Sequence, residues 1–150
     1  MKYLLQTDYN NALKFIDKCD DHIFKIKNWA LVTISAVIAF GVANDKDIVI
    51  ISNLAIILAF LYLELFYKSL QDDAILHSTK LEKRLEKYYS GDKEEAVENY
   101  SFGIGSALAY PKLKNMLSIL AHPYRRHIII FYSFLVIYSG GGFLIGRYLA

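Results

Sequence analysis

Glu64 is the only acidic residue inside a long apolar run, residues 48–67. A carboxylate held in hydrocarbon is costly and marks a functional position by default. Lys68 follows one helical turn later, in the Glu-before-Lys order that favours an i,i+4 pair. Such a pair at a membrane boundary is the plainer expectation for Glu64. Asn53 and Ser52 lie in the same run, and Thr33 and Ser35 in an earlier one, residues 29–43. Amides and hydroxyls at this depth bond between helices or line a wet path. A third run, residues 128–146, holds Ser139-Gly140-Gly141-Gly142 and Gly146. Gly142 and Gly146 form a GxxxG, with Ser139 on nearly the same face, and small residues let helix backbones approach closely. Helix packing is expected here in preference to a glycine gate. Glu64, Asn53, Ser139, Gly141, Gly142 and Gly146 are therefore the candidate pore-lining or packing residues.

Lys112, Lys114, Arg125, Arg126 and His127 crowd beside the third run. Lys112, Lys114, Arg125 and Arg126 are candidates for contact with anionic lipid headgroups or another anion. Other chemistry lacks its residues. His22, His77, His122 and His127 are scattered, and no pair has metal spacing on one helix. No HExxH and no nucleophile elbow is present. Gly103-Ile104-Gly105 lacks the lysine and the preceding strand of a phosphate loop. Cys19 is the only cysteine, so an intrachain disulfide or a cysteine metal site is excluded. The sequence points to no enzyme, no metal and no cofactor. A net charge of +2 is too small to suggest nucleic-acid binding.

These residues need elements to hold them, and composition says which. The chain is 55% hydrophobic, above the roughly 45–50% of soluble domains, and its mean hydropathy is +0.26. The excess sits in three blocks with the charges crowded between them. A spanning helix takes about 20 apolar residues. Residues 48–67 and 128–146 meet that length. Residues 29–43 fall short, but Ile26 extends the block and Lys25 and Lys27 can snorkel to headgroups. Trp29 suits an interfacial anchor. Residues 44–47 are enough only for a tight helical hairpin. Lysines and arginines number five in residues 1–28 and ten in residues 68–127, against one in the hairpin loop and one after the third block. The positive-inside bias then puts the N-terminus and residues 68–127 in the cytoplasm, and the hairpin loop and C-terminus outside. The start, residues 1–8, does not read as a signal peptide.

The fold expected is all-α, with three transmembrane helices and a cytoplasmic helical stalk. Its parts are an amphipathic helix (1–28), a transmembrane hairpin (29–43 and 48–67), a helical region (68–127) and a third span (128–146). Leu5, Tyr9, Ala12, Ile16, Cys19 and Ile23 recur as a heptad seam. Leu70, Ala74, Ser78, Leu81, Leu85 and Tyr88 repeat the pattern, and Gly91 is a plausible stop. Two helices, 3–43 and 48–89, are predicted side by side, with seams satisfied within one chain or between copies. Residues 92–95 read as a turn or helix start. Residues 102–110 are apolar but too short to span. Pro111 suits the first position of a further helix. Leu113, Met116, Leu117 and Leu120 would line one face of it, lying on the membrane or packing on the stalk. His122-Pro123 would end it.

Residues 28–89 carry a tryptophan-led span, a tiny loop, a second span ending Leu63-Glu64-Leu65-Phe66-Tyr67-Lys68, and a charged helix reading Leu81-Glu82-Lys83-Arg84-Leu85-Glu86. This pattern resembles the small two-span membrane effectors of bacterial defence systems, the SLATT type, although a third span lies outside it. The resemblance implies an oligomer in the bacterial inner membrane that damages the bilayer, in anti-phage defence, when a linked sensor signals. A cytoplasmic protein or a nucleotide signal is the partner it implies, besides membrane lipid and further copies of the chain. The heptad seams serve equally a non-conducting anchor or scaffold that recruits a soluble enzyme or sensor.

Overall fold

Hydrocarbon cannot satisfy backbone N–H and C=O groups, so an apolar run of this length closes its hydrogen bonds internally as helix. The computed structural model describes residues 2–44, 48–92, 96, 100, 103–106, 108, 111 and 113–149, with backbone alone for 48–50, 147 and 149. The described residues are helix, turns and short 3-10 segments, without a strand. Helix α1 runs Lys2–Ala43 and α2 runs Ile48–Ser90. Each is roughly 60 Å long at 1.5 Å per residue, part apolar span and part charged stalk. Asn44 caps α1, donating from its side-chain amide to the Phe40 carbonyl at 2.8 Å. Gly91 ends α2 with φ +111°, and the Asp92 N–H closes back on the Lys87 carbonyl at 3.1 Å. That is a glycine C-cap of the Schellman kind, a conformation that residues with a Cβ rarely adopt.

A short helix, α3 (Leu113–Ala121), then precedes a 3-10 elbow at Pro123–Arg125 and the last helix, α4 (Arg126–Leu149). Helices α1, α2 and α4 are long and apolar enough to cross a membrane. The fold is all-α, three candidate spans and a stalk.

The stalk is an antiparallel pair. Lys2 lies over the Tyr89 ring at 4.8 Å, His22 against Tyr67 at 4.9 Å, and Asp20 3.5 Å from Lys68. Leu5, Ala12, Cys19 and Ile23 are buried along the α1 seam, as are Ala74, Ser78 and Leu81 on α2. Tyr9 and Ile16 are half-buried, and Asp8 takes the inward position beside Tyr9. Burial pushes the Cys19 thiol up, with Asp20 adding to it, so the sulfur stays a protonated core group.

Helix α4 packs on both partners. Against α1 it runs parallel in a constant register: Lys27 with Phe131, Ser35 with Tyr138, Ile38 with Gly142 and Val42 with Gly146. Ala30, Ile34, Ile57, Leu65, Ile128 and Leu135 form the core between the three helices. Helix α3 joins this core through Met116 and Ile119, whereas Leu113 and Leu117 face away and are exposed. Met116 and, in part, Leu120 of the expected face pack inward, while Ile119 is buried where Leu113 and Leu117 were expected. Pro111 lies outside helix, and α3 begins at Leu113. Lys112, residues 93–95 of the expected turn, and much of 102–110 lie outside the described residues; within the last, Ile104–Ser106 form one 3-10 turn.

Candidate functional site

The buried polar residues of α2 and α4 pair along their antiparallel seam, whereas Ser35 bonds to Tyr138 on the α1–α4 contact and Ser52 is exposed. Three pairings follow α4 at seven-residue steps. Near the hairpin end, the Asn53 side-chain amide donates to Ser139 Oγ at 2.8 Å, and both residues are buried. Midway, the Tyr132 hydroxyl lies within electrostatic reach of the Glu64 carboxylate. At the stalk end, the Arg125 guanidinium holds Asp72 through two bonds, Nη1 to Oδ2 at 2.8 Å and Nη2 to Oδ1. Helix periodicity puts Asn53 and Glu64 on one face of α2, eleven residues being close to three turns.

Glu64 is 0% exposed. Its nearest cation is Lys27 of α1, with Nζ 3.2 Å from Oε1. The ammonium is out of line for a hydrogen bond, and neither carboxylate oxygen has a hydrogen-bond partner among the described residues. Lys68, expected to pair with Glu64 along the helix, instead donates to Gln71 at 2.7 Å and faces Asp20 across the stalk. Lys27, expected to snorkel outward, turns in toward Glu64 and the Phe131 ring, 5.4 Å from its centroid.

Two more buried groups share this under-satisfaction. Asn53 Oδ1 and the Tyr132 hydroxyl have no hydrogen-bond partner among the described residues. Each such atom costs roughly 1–3 kcal/mol when removed from water. Beside Asn53–Ser139 the seam is also incompletely filled. A groove of about 220 Å³, lined by Leu54, Ile57, Val136, Ser139 and Gly140, opens there.

The glycines divide by face. A Cβ on Gly142 would sit 3.6 Å from Ile38, ordinary contact, whereas one on Gly146 would sit 2.6 Å from Val42 Cγ2. Both face α1 within the same chain. Gly140 and Gly141 have open space where a Cβ would go. Val42 is β-branched and stiff, so Gly146→Ala must push α4 off α1. We expect Gly146→Ala to cost about 1–3 kcal/mol, as overpacking does. Gly142→Ala and Gly141→Ala should be neutral, or gain up to about 1 kcal/mol of helix propensity. Detergent unfolding of the three variants checks the contrast, and equal costs at 142 and 146 would refute the packing.

The basic cluster is not one surface. Arg125 is committed to Asp72, while Lys114, Arg126 and His127 are exposed and Lys112 lies outside the described residues.

A second polar knot lies in the stalk and was not legible in the sequence. Asp8 of α1, 5% exposed, accepts from the Tyr100 hydroxyl and from the Gly103 N–H at 3.0 Å, with His77 Nε2 of α2 at 3.5 Å. Arg84 lies over the Tyr100 ring at 5.2 Å and donates to the Ala96 carbonyl at 3.0 Å. Burial pushes the Tyr100 hydroxyl up, and its bond to Asp8 adds to this, so it remains a donor. The knot ties the connection between α2 and α3 to the stalk. Its only sequence signal is Asp8 standing one position from the seam.

Among the described residues, no group of three or more acidic, histidine or cysteine side chains could hold a metal ion. No protein-family model, no curated protein and no solved structure matches this chain.

Proposed function

We propose that this protein is a small membrane effector that assembles from several copies and opens a conducting path, or breaches the bilayer, on a signal received by its stalk. In this reading the stalk is cytoplasmic, the membrane is a bacterial inner membrane, and the hairpin loop and C-terminus lie outside. The lysine and arginine distribution supports that orientation, and the SLATT-type resemblance over residues 28–89 supports the bacterial setting and a role in anti-phage defence.

The observation that carries the proposal is the under-satisfied polar seam between α2 and α4. An anchor that merely held three helices together would be at least as stable with apolar residues there, because a buried ion pair is often matched or exceeded by well-packed hydrophobic residues. Asn53 Oδ1, the Glu64 carboxylate and the Tyr132 hydroxyl gain partners if α4 parts from α2 and water enters between them. The incompletely filled groove beside Ser139 is where such parting begins.

The test is dye release from phospholipid vesicles containing the purified full chain, over protein densities that bring copies together. We expect release above that of protein-free vesicles, and a loss of about tenfold or more in Asn53→Leu/Ser139→Ala, which keeps the packing and removes the polarity. Tight vesicles at every density, with the protein monomeric, rule the proposal out. A second reading has one observation in its favour. Ile75 and Leu76 are exposed on the stalk, seven residues or more past the apolar run, and suit recruitment of a soluble protein by a non-conducting anchor. A stoichiometric soluble partner together with tight vesicles would select it.

A further inference from the structure

Helix α3 is held at a defined height. Met116 and Ile119 share a core with Leu65 of α2 and with Ile128 and Tyr132 of α4. Those residues lie where α2 leaves its apolar run and where α4 begins, at the stalk end of the spans. A helix fixed there sits at the boundary between hydrocarbon and water.

Its other side is apolar and, among the described residues, unpartnered. Leu113 is 64% exposed, Leu117 53%, and Tyr124 on the adjoining elbow 87%. Leu113 and Leu117 are one turn apart and form a ridge. The charged groups on α3, the elbow and α4 have one sign, and the neighbouring acid, Asp72 of α2, is held by Arg125. Lys114, Arg126 and His127 are exposed, and residues 99–150 contain no aspartate or glutamate. Arg125 takes no part, because Asp72 holds it. An apolar ridge with a basic flank, at this height and continuous with the spans, matches the surface of an anionic leaflet. There the acyl boundary receives leucines and the phosphates receive lysine and arginine.

We infer that α3 and its elbow form a docking foot for anionic phospholipid in the leaflet on the stalk side, with Leu113, Leu117 and Tyr124 inserted and Lys114 and Arg126 on headgroup phosphates. Conductance is not required, so a non-conducting anchor would carry the same foot. The foot joins lipid charge to the start of α4, the helix that closes the polar seam.

The experiment uses the full chain with Cys19→Ser and Leu117→Cys, carrying an environment-sensitive fluorophore at 117. The probe membranes are phosphatidylcholine vesicles with and without one quarter phosphatidylglycerol. The expected result is strong quenching by lipids brominated near the headgroup end of the chain, and weak quenching by aqueous iodide. A control label at Tyr3→Cys, far along the stalk, should show the reverse. Iodide quenching at 117 equal to that at 3 overturns the inference. So does self-quenching between labels that persists on dilution into excess lipid, which would assign the ridge to a second copy. In the charge arm, native mass spectrometry counts phosphatidylglycerol retained over phosphatidylcholine. Lys114→Gln and Arg126→Gln, both at exposed positions, should each lower that preference about fivefold. An unchanged ratio in the double variant overturns the basic half of the foot.

Discussion

Lys27→Met is expected to destabilise the protein by about 3–5 kcal/mol, the cost of leaving a buried charge without its partner. Glu64 is fully buried and Lys27 is its nearest cation, at 3.2 Å on another helix. Removing the ammonium strands a carboxylate whose two oxygens already lack hydrogen-bond donors among the described residues. The folded chain must then admit water or open the α1–α2 contact. Lys27→Met/Glu64→Leu removes both charges and should recover most of the loss, since a hydrophobic replacement of a buried pair is commonly neutral or stabilising. Reversible unfolding in mixed micelles measures all three proteins. A single variant within about 1 kcal/mol of the parent would mean that the pair is hydrated like a surface salt bridge.

The second large effect is expected at Asp8. Asp8→Ala deprives the Tyr100 hydroxyl and the Gly103 N–H of their shared acceptor and removes the carboxylate facing His77. Losing a charged acceptor shared by two half-buried donors costs about 2 kcal/mol. The loss should be local, since the seam of Leu5, Ala12, Cys19 and Ile23 is untouched. The expected signature is exchange of the Gly103 amide hydrogen about a hundredfold faster, with amides of mid-α1 unchanged. Alkali should act on the same contact. The Tyr100 pKa is raised in the fold, so the stabilisation it brings is complete below the unfolded tyrosine value of about 10. It is lost as pH rises from there through the folded value. A Gly103 amide that exchanges at the parent rate in Asp8→Ala would remove Asp8 from its role as the tie.

Much of the architecture was legible because it rests on one-dimensional signals. Three apolar blocks and a four-residue gap led to helices 3–43 and 48–89, and the helices found are Lys2–Ala43 and Ile48–Ser90. Gly91 was readable as a stop because only glycine takes its φ of +111° without strain. What could not be read was register between helices. The i,i+4 rule saw Lys68 beside Glu64 but not Lys27, which reaches Glu64 only once α1 and α2 are aligned antiparallel. A one-step ambiguity in the heptad likewise assigned Tyr9 to the seam and missed Asp8, because a buried aspartate becomes sensible only when its donors, more than ninety residues away, are known. In α3 the periodicity puts Leu113, Met116, Leu117 and Leu120 on one face. The core takes Met116, part of Leu120 and the neighbouring Ile119, which leaves Leu113 and Leu117 available to a second apolar phase.

The candidate site divides in the same way. Asn53, Glu64 and Ser139 stand out in the sequence as polar within apolar runs, and they lie along one seam. Gly142 and Gly146 stand out by spacing, and both face α1. Gly141, next to Gly142 in sequence, points to open space, since consecutive residues on a helix turn through 100° and cannot share a face.

The polar seam plays its proposed part only with α1, α2 and α4 crossing a bilayer and the stalk on one side. Single cysteines placed in a Cys19→Ser background at exposed positions Tyr3, Asn44, Tyr89 and Tyr148 can be reacted with a membrane-impermeant thiol reagent on intact cells. The account predicts that 44 and 148 react at once, and that 3 and 89 react only after the membrane is permeabilised. Equal reactivity at all four positions, or extraction of the protein by alkaline carbonate without detergent, would contradict it.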